Sequence, residues 1–421
     1  MGSHSESALV SELAGLLKTK PLPKELEVTI LPFENDEDVD TSSFMKEGVH
    51  LGIHAPNVPK VARECRKVYY NLRKVASQRI DDINDSIDDL MDCISCLLLL
   101  CPDHATAWAD RRRFLLKRVS ALEKDSLTAC ALLFWRAELE YMNMLFTQHS
   151  KAPNAWGHRR WVCRQILAIL SLENRNNDTL PEDWHPSENL IQWATLEIAV
   201  CSVIAENYPK NYYAWTHRSF IIRTLTNVLS TIDGANGRDN IKAVLETEAN
   251  GTEPWLHRHV SDHSAAHYGG EALSLWLNVG GGCNDTIEWK IGILKEKLQE
   301  SRRLIEKFPS HEVIWTWRRI CSRLFLAYYL SFTKEEAVSF LKEEISFASS
   351  FFDESSSIDE QERDMQRHFS LAYIVWILKY TREYDFELIP LVGDINIDVI
   401  KERVRQMQMP KGIAHVLIGF E

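Results

Sequence analysis

The stretch SKAPNAWGHRRW, residues 150–161, decides the fold: a turn that contains proline is followed by Trp156 and, three residues later, by Arg159. The same order of a proline turn and Trp-x-x-Arg occurs in PDHATAWADRR around Trp108, PKNYYAWTHRS around Trp215 and PSHEVIWTWRR around Trp315. The intervals between these four tryptophans are 48, 59 and 100 residues. Such self-similarity along a chain is the sequence signature of a repeat architecture.

The last interval is twice 50, which indicates a degenerate unit between Trp215 and Trp315. Two registers compete for it. In DHSAAHYGG, Ala266 takes the tryptophan position and Gly269 the arginine position, with intervals of 51 and 49 residues. In EPWLHRH the motif is kept at Trp255, but the intervals become 40 and 60 residues. We favour the first register, because its Asp-x-x-x start resembles the Asn-Tyr-x-x start of the third unit.

A period of about 50 residues, in a chain almost without strand signals, predicts stacked helical hairpins. Each unit is expected to hold a first helix, a proline turn and a second helix that opens with the motif. We therefore predict an all-α fold, an α/α superhelix of stacked helical hairpins without a sheet. The second helices should begin near Ala105, Pro153, Tyr212, Ser264 and Glu312.

Composition changes along the chain predict three parts. Residues 1–60 are polar, with proline and acidic clusters, and are expected to hold little regular structure. Residues 61–330 should form the repeat array, and residues 331–421 should form C-terminal helices that pack on it.

The repeat residues themselves are expected to serve the packing of the hairpins. A tryptophan in the first turn of a helix can wedge between neighbouring units. The arginine three residues later lies on the same helix face and could bond carbonyl groups at the end of the preceding helix. These residues are Trp108, Arg111, Trp156, Arg159, Trp215, Arg218, Trp315 and Arg318.

Charge and composition exclude several classes of protein. The chain of 421 residues has a net charge of −12, which argues against a protein that grips nucleic-acid backbones. No apolar run approaches the roughly 20 residues that span a membrane. The first residues lack the apolar core of a secretory signal, and we expect a cytoplasmic protein.

The unit Pro-x-Asn-Tyr-x-x-Trp-x-x-Arg-Arg resembles the repeat of protein prenyltransferase α subunits, over about residues 90–325. Within that family, SKAPNAWGHRRW and HVSDHSAAHY most resemble the α-type subunits of the third class of geranylgeranyltransferase. The resemblance implies that the superhelix is crescent-shaped. It also implies a heterodimer with a β subunit, of the type found in Rab geranylgeranyltransferase, and that partner would hold the catalytic zinc. It implies geranylgeranyl diphosphate as the lipid donor. The acceptors would be proteins with C-terminal cysteines, including SNAREs that already carry a farnesyl group.

The resemblance also implies roles for side chains in the second and third units. Lys151 stands where the family has a lysine near the diphosphate, and a cation there would stabilise the leaving group. Tyr212 matches a family tyrosine at the rim of the active site, and Lys210 keeps the family pattern in the third unit and is a second candidate for the catalytic lysine. Three residues would contact the protein substrate: Asn154, Asn211 and Tyr213. Pro153 replaces the family's tyrosine, and Asn211 also suits a helix cap.

A set of four histidines also suggests metal chemistry. His259, His263 and His267 have the spacing i, i+4, i+8, and His257 lies nearby. One face of a single helix could then offer two ligands. No HExxH motif is present, and Asp262 could begin a helix inside the set. We therefore predict no metal site and no cofactor on this chain, with zinc on the β-subunit partner.

Two hypotheses of different class remain open. In the first, the chain is the α-type subunit of a protein geranylgeranyltransferase and is not catalytic alone. In the second, it is a helical-repeat adaptor that keeps the fold without the chemistry and binds a protein partner. Pro153 favours the second hypothesis, whereas Lys151 and the third unit favour the first.

Overall fold

The structure is a computed structural model that describes most of the chain. The described residues are 8–18, 26–32, 43–78, 84–121, 127–172, 186–232, 234–279, 286–329, 334–352 and 359–384. They form two compact units, Met1–Ile232 and Asp233–Glu421. The boundary at residue 330 that composition suggested stays a prediction.

The first unit is built mainly from helices. Its helices are α1 (Ala8–Lys18), α2 (Val58–Gln78), α3 (Asn84–Leu100), α4 (Ala105–Ser120), α5 (Leu127–His149), α6 (Pro153–Leu172), α7 (Pro186–Asn207) and α8 (Tyr212–Ile232). Three hairpins follow one another along the chain: α3 with α4, α5 with α6, and α7 with α8. The second helices α4, α6 and α8 pack side by side.

The second unit continues the same pattern. Its helices are α9 (Gly234–Asn250), α10 (Thr252–Arg258), α11 (His263–Val279), α12 (Ile287–Lys307), α13 (Glu312–Tyr329), α14 (Lys334–Ser349) and α15 (Glu360–Tyr384). The hairpins are α9 with α11, α12 with α13, and α14 with α15. The predicted all-α class is therefore confirmed. Four of the five predicted starts of second helices are correct, and α11 begins one residue early, at His263.

A small sheet near the N-terminus contradicts the expectation that the fold has no strands. The strands β1 (Glu27–Leu31), β2 (Phe44–Glu47) and β3 (His50–His54) have the order β1-β3-β2, with β1 parallel and β2 antiparallel to β3. The expectation of little regular structure in residues 1–60 is thus wrong for α1 and these strands. Strands of four or five residues within a polar stretch carry a weak periodic signal. They are stabilised by distant partners, such as Thr147 Oγ1 of α5, which accepts a hydrogen bond from the Val28 amide at 3.0 Å.

The four repeat tryptophans are buried, as the sequence predicted. Trp156 is 0% exposed and stacks on Phe146 of its first helix, with 4.1 Å between the ring centroids. The indole N–H groups of Trp108 and Trp156 donate to the carbonyls of Pro102 and Ser150 in the preceding turns. In these two units the tryptophan therefore ties the second helix to its own turn as well as to the core.

The degenerate fourth unit has the register that we favoured, in which DHSAAHYGG opens the second helix. Asp262 caps α11 by accepting from the Ala265 amide, as Asn211 caps α8 by accepting from the Ala214 amide. Ala266 and Gly269 therefore occupy the tryptophan and arginine positions. The alternative motif at Trp255 lies in the short helix α10. A Cβ at Gly269 would lie 2.2 Å from Thr252 Oγ1 of α10, so only glycine fits at this position.

Substitution of this glycine tests the tight contact between α10 and α11. Gly269→Ala should destabilise the protein by about 1–3 kcal/mol, because overpacking of a filled core outweighs the better helix propensity of alanine. Gly292→Ala in α12, where a Cβ meets nothing within 4 Å, is the matched control. It should be neutral or stabilising by up to about 1 kcal/mol. Urea unfolding of both variants measures the difference, and equal midpoints would exclude the close contact.

Candidate functional site

The proline turns that open the second helices of neighbouring hairpins are hydrogen-bonded to one another. Lys151 Nζ donates to the Pro209 carbonyl at 3.3 Å, and Asn211 Nδ2 donates to the Ser150 carbonyl at 2.9 Å. Asn154 Nδ2 donates to the Asp103 carbonyl at 3.3 Å. We call the surface formed by the three turns, residues 101–104, 150–154 and 208–213, the turn edge.

The turn edge brings several of the residues singled out from the sequence close to one another. The ammonium group of Lys151 contacts the turn that carries Lys210, and both lysines are exposed. Lys210 has a φ of +59°, a left-handed conformation that turns the chain sharply into α8. Tyr212 follows at 62% exposure, and its ring meets that of Tyr213 edge-to-face at 5.6 Å. Ammonium and phenol groups at one accessible place can bind an anionic group and the polar part of a substrate.

The two asparagines predicted to contact substrate have different surroundings. Asn154 is directed away from the third unit, toward the turn of the first hairpin. Asn211 is 0% exposed, and its amide bridges the Ala214 amide and the Ser150 carbonyl. Because both polar atoms of Asn211 are engaged inside the protein, the geometry gives it a structural role as a helix cap in place of a substrate contact.

A buried network of charged groups lies behind the turn edge and joins the first hairpin to the second and the second to the third. Arg111 of α4 donates two hydrogen bonds, of 2.6 and 2.8 Å, to Glu138 of α5. Arg159 of α6 donates two bonds, of 2.8 and 2.7 Å, to Glu197 of α7. In the second unit, Arg318 makes the same fork with a carboxylate of α14. Such bidentate pairs are the strongest ion pairs that arginine forms.

Each of these carboxylates also forms a hydrogen bond to a side chain on the second helix of its own hairpin. His158 Nε2 lies 2.7 Å from Glu138 Oε1, and His217 Nε2 lies 3.0 Å from Glu197 Oε2. The Tyr373 hydroxyl donates to Glu344 at 2.5 Å in the second unit. Glu138, Glu197 and Glu344 therefore each bind an arginine of the preceding hairpin and an imidazole or phenol of their own hairpin.

These contacts correct the role expected for the arginines. Their main partners are carboxylates of the following unit, whereas carbonyl groups at the end of the preceding helix were expected. Arg218 donates to Ser202 Oγ at 2.7 Å, a partner 16 residues earlier, as Ser95 is for Arg111. The sequence held one signal that we did not use: Glu138 and Glu197 each stand 20 residues before the histidine of the next motif.

Burial and charge oppose each other in the pKa values of this network. Burial alone would raise the pKa of Glu138, but the Arg111 charge and hydrogen bonds from His158 and Arg111 outweigh it and lower the pKa to about 2. Glu197 behaves in the same way beside Arg159 and His217, with its pKa also lowered to about 2. Burial lowers the pKa of both histidines, so the imidazoles are neutral at pH 7.

One buried group has the donor atoms that a metal ion would need. Among the described residues, Cys163, Glu197 and His217 form the group of three whose donor atoms lie within 4.8 Å of one another. Both oxygens of Glu197 are held by Arg159, which places a positive charge beside the group. Burial, followed by the Glu197 charge, raises the pKa of the Cys163 thiol well above its usual range. A protonated thiol and an occupied carboxylate do not suit a metal ion.

The four histidines 257–267 do not share one helix face. Helix α10 ends at Arg258 and α11 begins at His263, so His259 lies between the helices and stacks on Trp255 at 4.3 Å. His257 Nε2 lies 2.6 Å from Lys307 Nζ. Among the residues that the structure describes, these histidines form no group of three close donor atoms.

Stacked hairpins joined by arginine–glutamate pairs define a helical-repeat protein. The protein prenyltransferase alpha subunit repeat matches residues 135–166 and 195–225, two segments that contain the Glu–His pairs and the arginines 159 and 218. The chain therefore carries repeats of the prenyltransferase α-subunit type, and the resemblance inferred from the motif is confirmed.

Comparison with curated proteins supports the same assignment. The chain is 29% identical over 263 residues to protein prenyltransferase alpha subunit repeat-containing protein 1 of Homo sapiens, which covers 55% of this chain and 58% of the relative. It is 28% identical over 252 residues to the Danio rerio protein of that name, covering 55% and 53%. The geranylgeranyl transferase type-2 subunit alpha of Saccharomyces cerevisiae is 22% identical over 179 residues, covering 42% and 43%.

The chain thus spans about half the length of the curated relatives it matches. Within the described residues, none of the helices has both the length and the apolar character needed to cross a membrane.

The buried network predicts a stability that increases with pH. A folded pKa below the unfolded value means that the unfolded chain binds more protons, so acid favours unfolding. For Glu138 and Glu197 the loss should occur as the pH falls from about 4.5 toward 2, and for His158 and His217 it should begin below about 6.5. The thermal midpoint should therefore be lower at pH 5 than at pH 7. His217→Gln should lessen this difference, and a wild-type midpoint that rises on acidification would contradict the assignment.

Proposed function

We propose that this chain is the α-type subunit, without zinc, of a heterodimeric protein geranylgeranyltransferase. The observation that carries the proposal is the turn edge, where Lys151 contacts the turn that bears Lys210 and Tyr212. The similarity to a geranylgeranyl transferase type-2 subunit alpha supports it. In this proposal the lipid donor is geranylgeranyl diphosphate, and the acceptors are proteins with C-terminal cysteines, including farnesylated SNAREs.

The division of labour follows from the chemistry of the two chains. The reaction needs the thiolate of the acceptor cysteine as its nucleophile, and a zinc ion on the β-type partner would lower the pKa of that thiol when bound. The buried Cys163 group does not suit a metal ion, for the reasons given above. The present chain would contribute cations at its turn edge, where the ammonium groups of Lys151 and Lys210 stabilise the negative charge of the departing diphosphate. Tyr212 and Tyr213 would line the path of the peptide.

A second candidate function is a helical-repeat adaptor without enzymatic activity. It is favoured by the inter-turn hydrogen bonds of Lys151 and Asn154, since both side chains already have structural partners. Pro153 also replaces the tyrosine expected at that position. In this alternative the chain binds a protein partner but takes no part in lipid transfer.

The two functions differ in the expected effect of Lys151→Ala. The variant, purified together with a Rab geranylgeranyltransferase-type β subunit, should transfer labelled geranylgeranyl on the order of 10²-fold more slowly, because one preorganised charge contact is lost. Binding of the β subunit should be unchanged, since Lys151 is exposed in a turn. Lys295→Ala, at an exposed position of α12, is the control and should transfer at the wild-type rate.

The same assay separates catalysis from folding. Trp156→Ala should reduce the yield of folded protein first, because a cavity in place of a buried indole costs about 3–5 kcal/mol. Transfer by Lys151→Ala at the wild-type rate would contradict the role of this lysine. A complex that binds the β subunit but transfers no lipid would support the adaptor.

A further inference from the structure

The second helices of the first unit carry a cluster of arginines that the proposed chemistry does not use. Arg112 lies four residues after the repeat tryptophan of α4. Arg160 and Arg164 lie four and eight residues after that of α6. These positions fall on one face of each helix, and α4 packs beside α6. The three side chains are partly or fully exposed.

Within the described part of the chain, these arginines lack carboxylate partners like those of Arg111 and Arg159. Among the described residues, none of the ion pairs involves Arg112, Arg160 or Arg164. Arg112 Nε donates to His158 Nδ1 at 3.3 Å, and Arg160 Nη1 is buried without a hydrogen-bond partner. Burial, together with the nearby charge of Arg164, lowers the pKa of Arg112 and of Arg160. Like charges are thus gathered here, in a chain whose net charge is −12.

Aromatic rings support the guanidinium groups. The Arg112 guanidinium lies 5.5 Å from the ring centre of Trp161, and that of Arg164 lies 5.2 Å from the ring centre of Phe220 on α8. A guanidinium held over a ring keeps its edge N–H groups free for a two-pronged bond to a carboxylate or a phosphate. We call these five residues, Arg112, Arg160, Trp161, Arg164 and Phe220, the arginine strip.

The composition and breadth of the arginine strip favour a protein over a small anion. Arginine and aromatic residues are enriched in protein–protein interfaces, whereas lysine is depleted. Leu116, one turn after Arg112, is 47% exposed and continues the strip with an apolar side chain. The strip also crosses three neighbouring helices, whose axes lie about 8–10 Å apart in packed pairs, which is wider than a single diphosphate.

We propose that the arginine strip is the docking surface for a carboxylate-bearing face of the β-type subunit. This inference rests on the proposed function, because it names where that partner binds. Acidic side chains of the partner would form two-pronged bonds with the guanidinium groups, and apolar side chains between them would cover Trp161, Phe220 and Leu116. The repulsion among the three arginines would be relieved on association, which makes binding dependent on salt.

The test measures the affinity of purified chain for a Rab geranylgeranyltransferase-type β subunit by titration calorimetry at low and high salt. Arg164→Glu should weaken binding about 10- to 100-fold and reduce its salt dependence. Arg164→Lys, which keeps the charge but loses the planar fork, should give an intermediate loss. Arg136→Glu is the matched control, because it makes the same charge change at an exposed position on the first helix of the same hairpin. It should bind as the wild type does, and all variants should keep the wild-type thermal midpoint.

Each outcome decides between the inferences. Equal affinity of Arg164→Glu and wild type would overturn the arginine strip and leave the proposed function standing. A wild-type chain that binds no β subunit at all would overturn both. Competition by inorganic pyrophosphate that Arg164→Glu abolishes would show a small-anion site and overturn the assignment to a protein partner.

Discussion

The repeat depends on a buried arginine of one hairpin that binds a buried glutamate of the next. Arg159 and Glu197 are 1% and 3% exposed, so neither charge could be buried without the other. The fork geometry fixes the distance and the rotation between α6 and α7, because both N–H···O bonds must form together. The imidazole of His217 then bonds the same carboxylate and joins α8 to it. One glutamate thus sets the relative positions of three helices.

The positions of the turn edge and of the arginine strip both depend on the sequence His-Arg-Arg at positions 158–160. His158 and Arg159 are buried among the carboxylates, and the next residue, Arg160, is partly exposed and belongs to the arginine strip. The turn edge lies one helical turn before them and is held by Trp156, whose indole donates to the Ser150 carbonyl. The network that packs the hairpins therefore also determines where the exposed cations lie, and each motif serves packing and surface chemistry at once.

The sequence predicted the features that are encoded locally. Proline turns and caps determine where the second helices begin, and burial of the repeat tryptophans follows from their place in the first turn. The partners of the arginines were missed because Glu197 lies 38 residues from Arg159, and a single sequence does not report contacts over that distance. The sheet was missed because strands such as β1 are short and obtain their order from α5. The substrate role of Asn211 came from the family resemblance, although its position also suits a helix cap. Its burial and its two hydrogen bonds favour the cap.

The most direct test of this account is a double-mutant cycle on Arg159 and Glu197, with methionine at each position. Either single change should lower the free energy of unfolding by about 3–5 kcal/mol, because it leaves one charge buried without a partner. The double variant should be no less stable than either single variant, so that the coupling is large. The exposed pair Arg302–Glu306, 3.0 Å apart on α12, is the control and should couple by less than about 0.5 kcal/mol. Simple additivity at Arg159 and Glu197 would contradict the claim that their pairing holds the hairpins together.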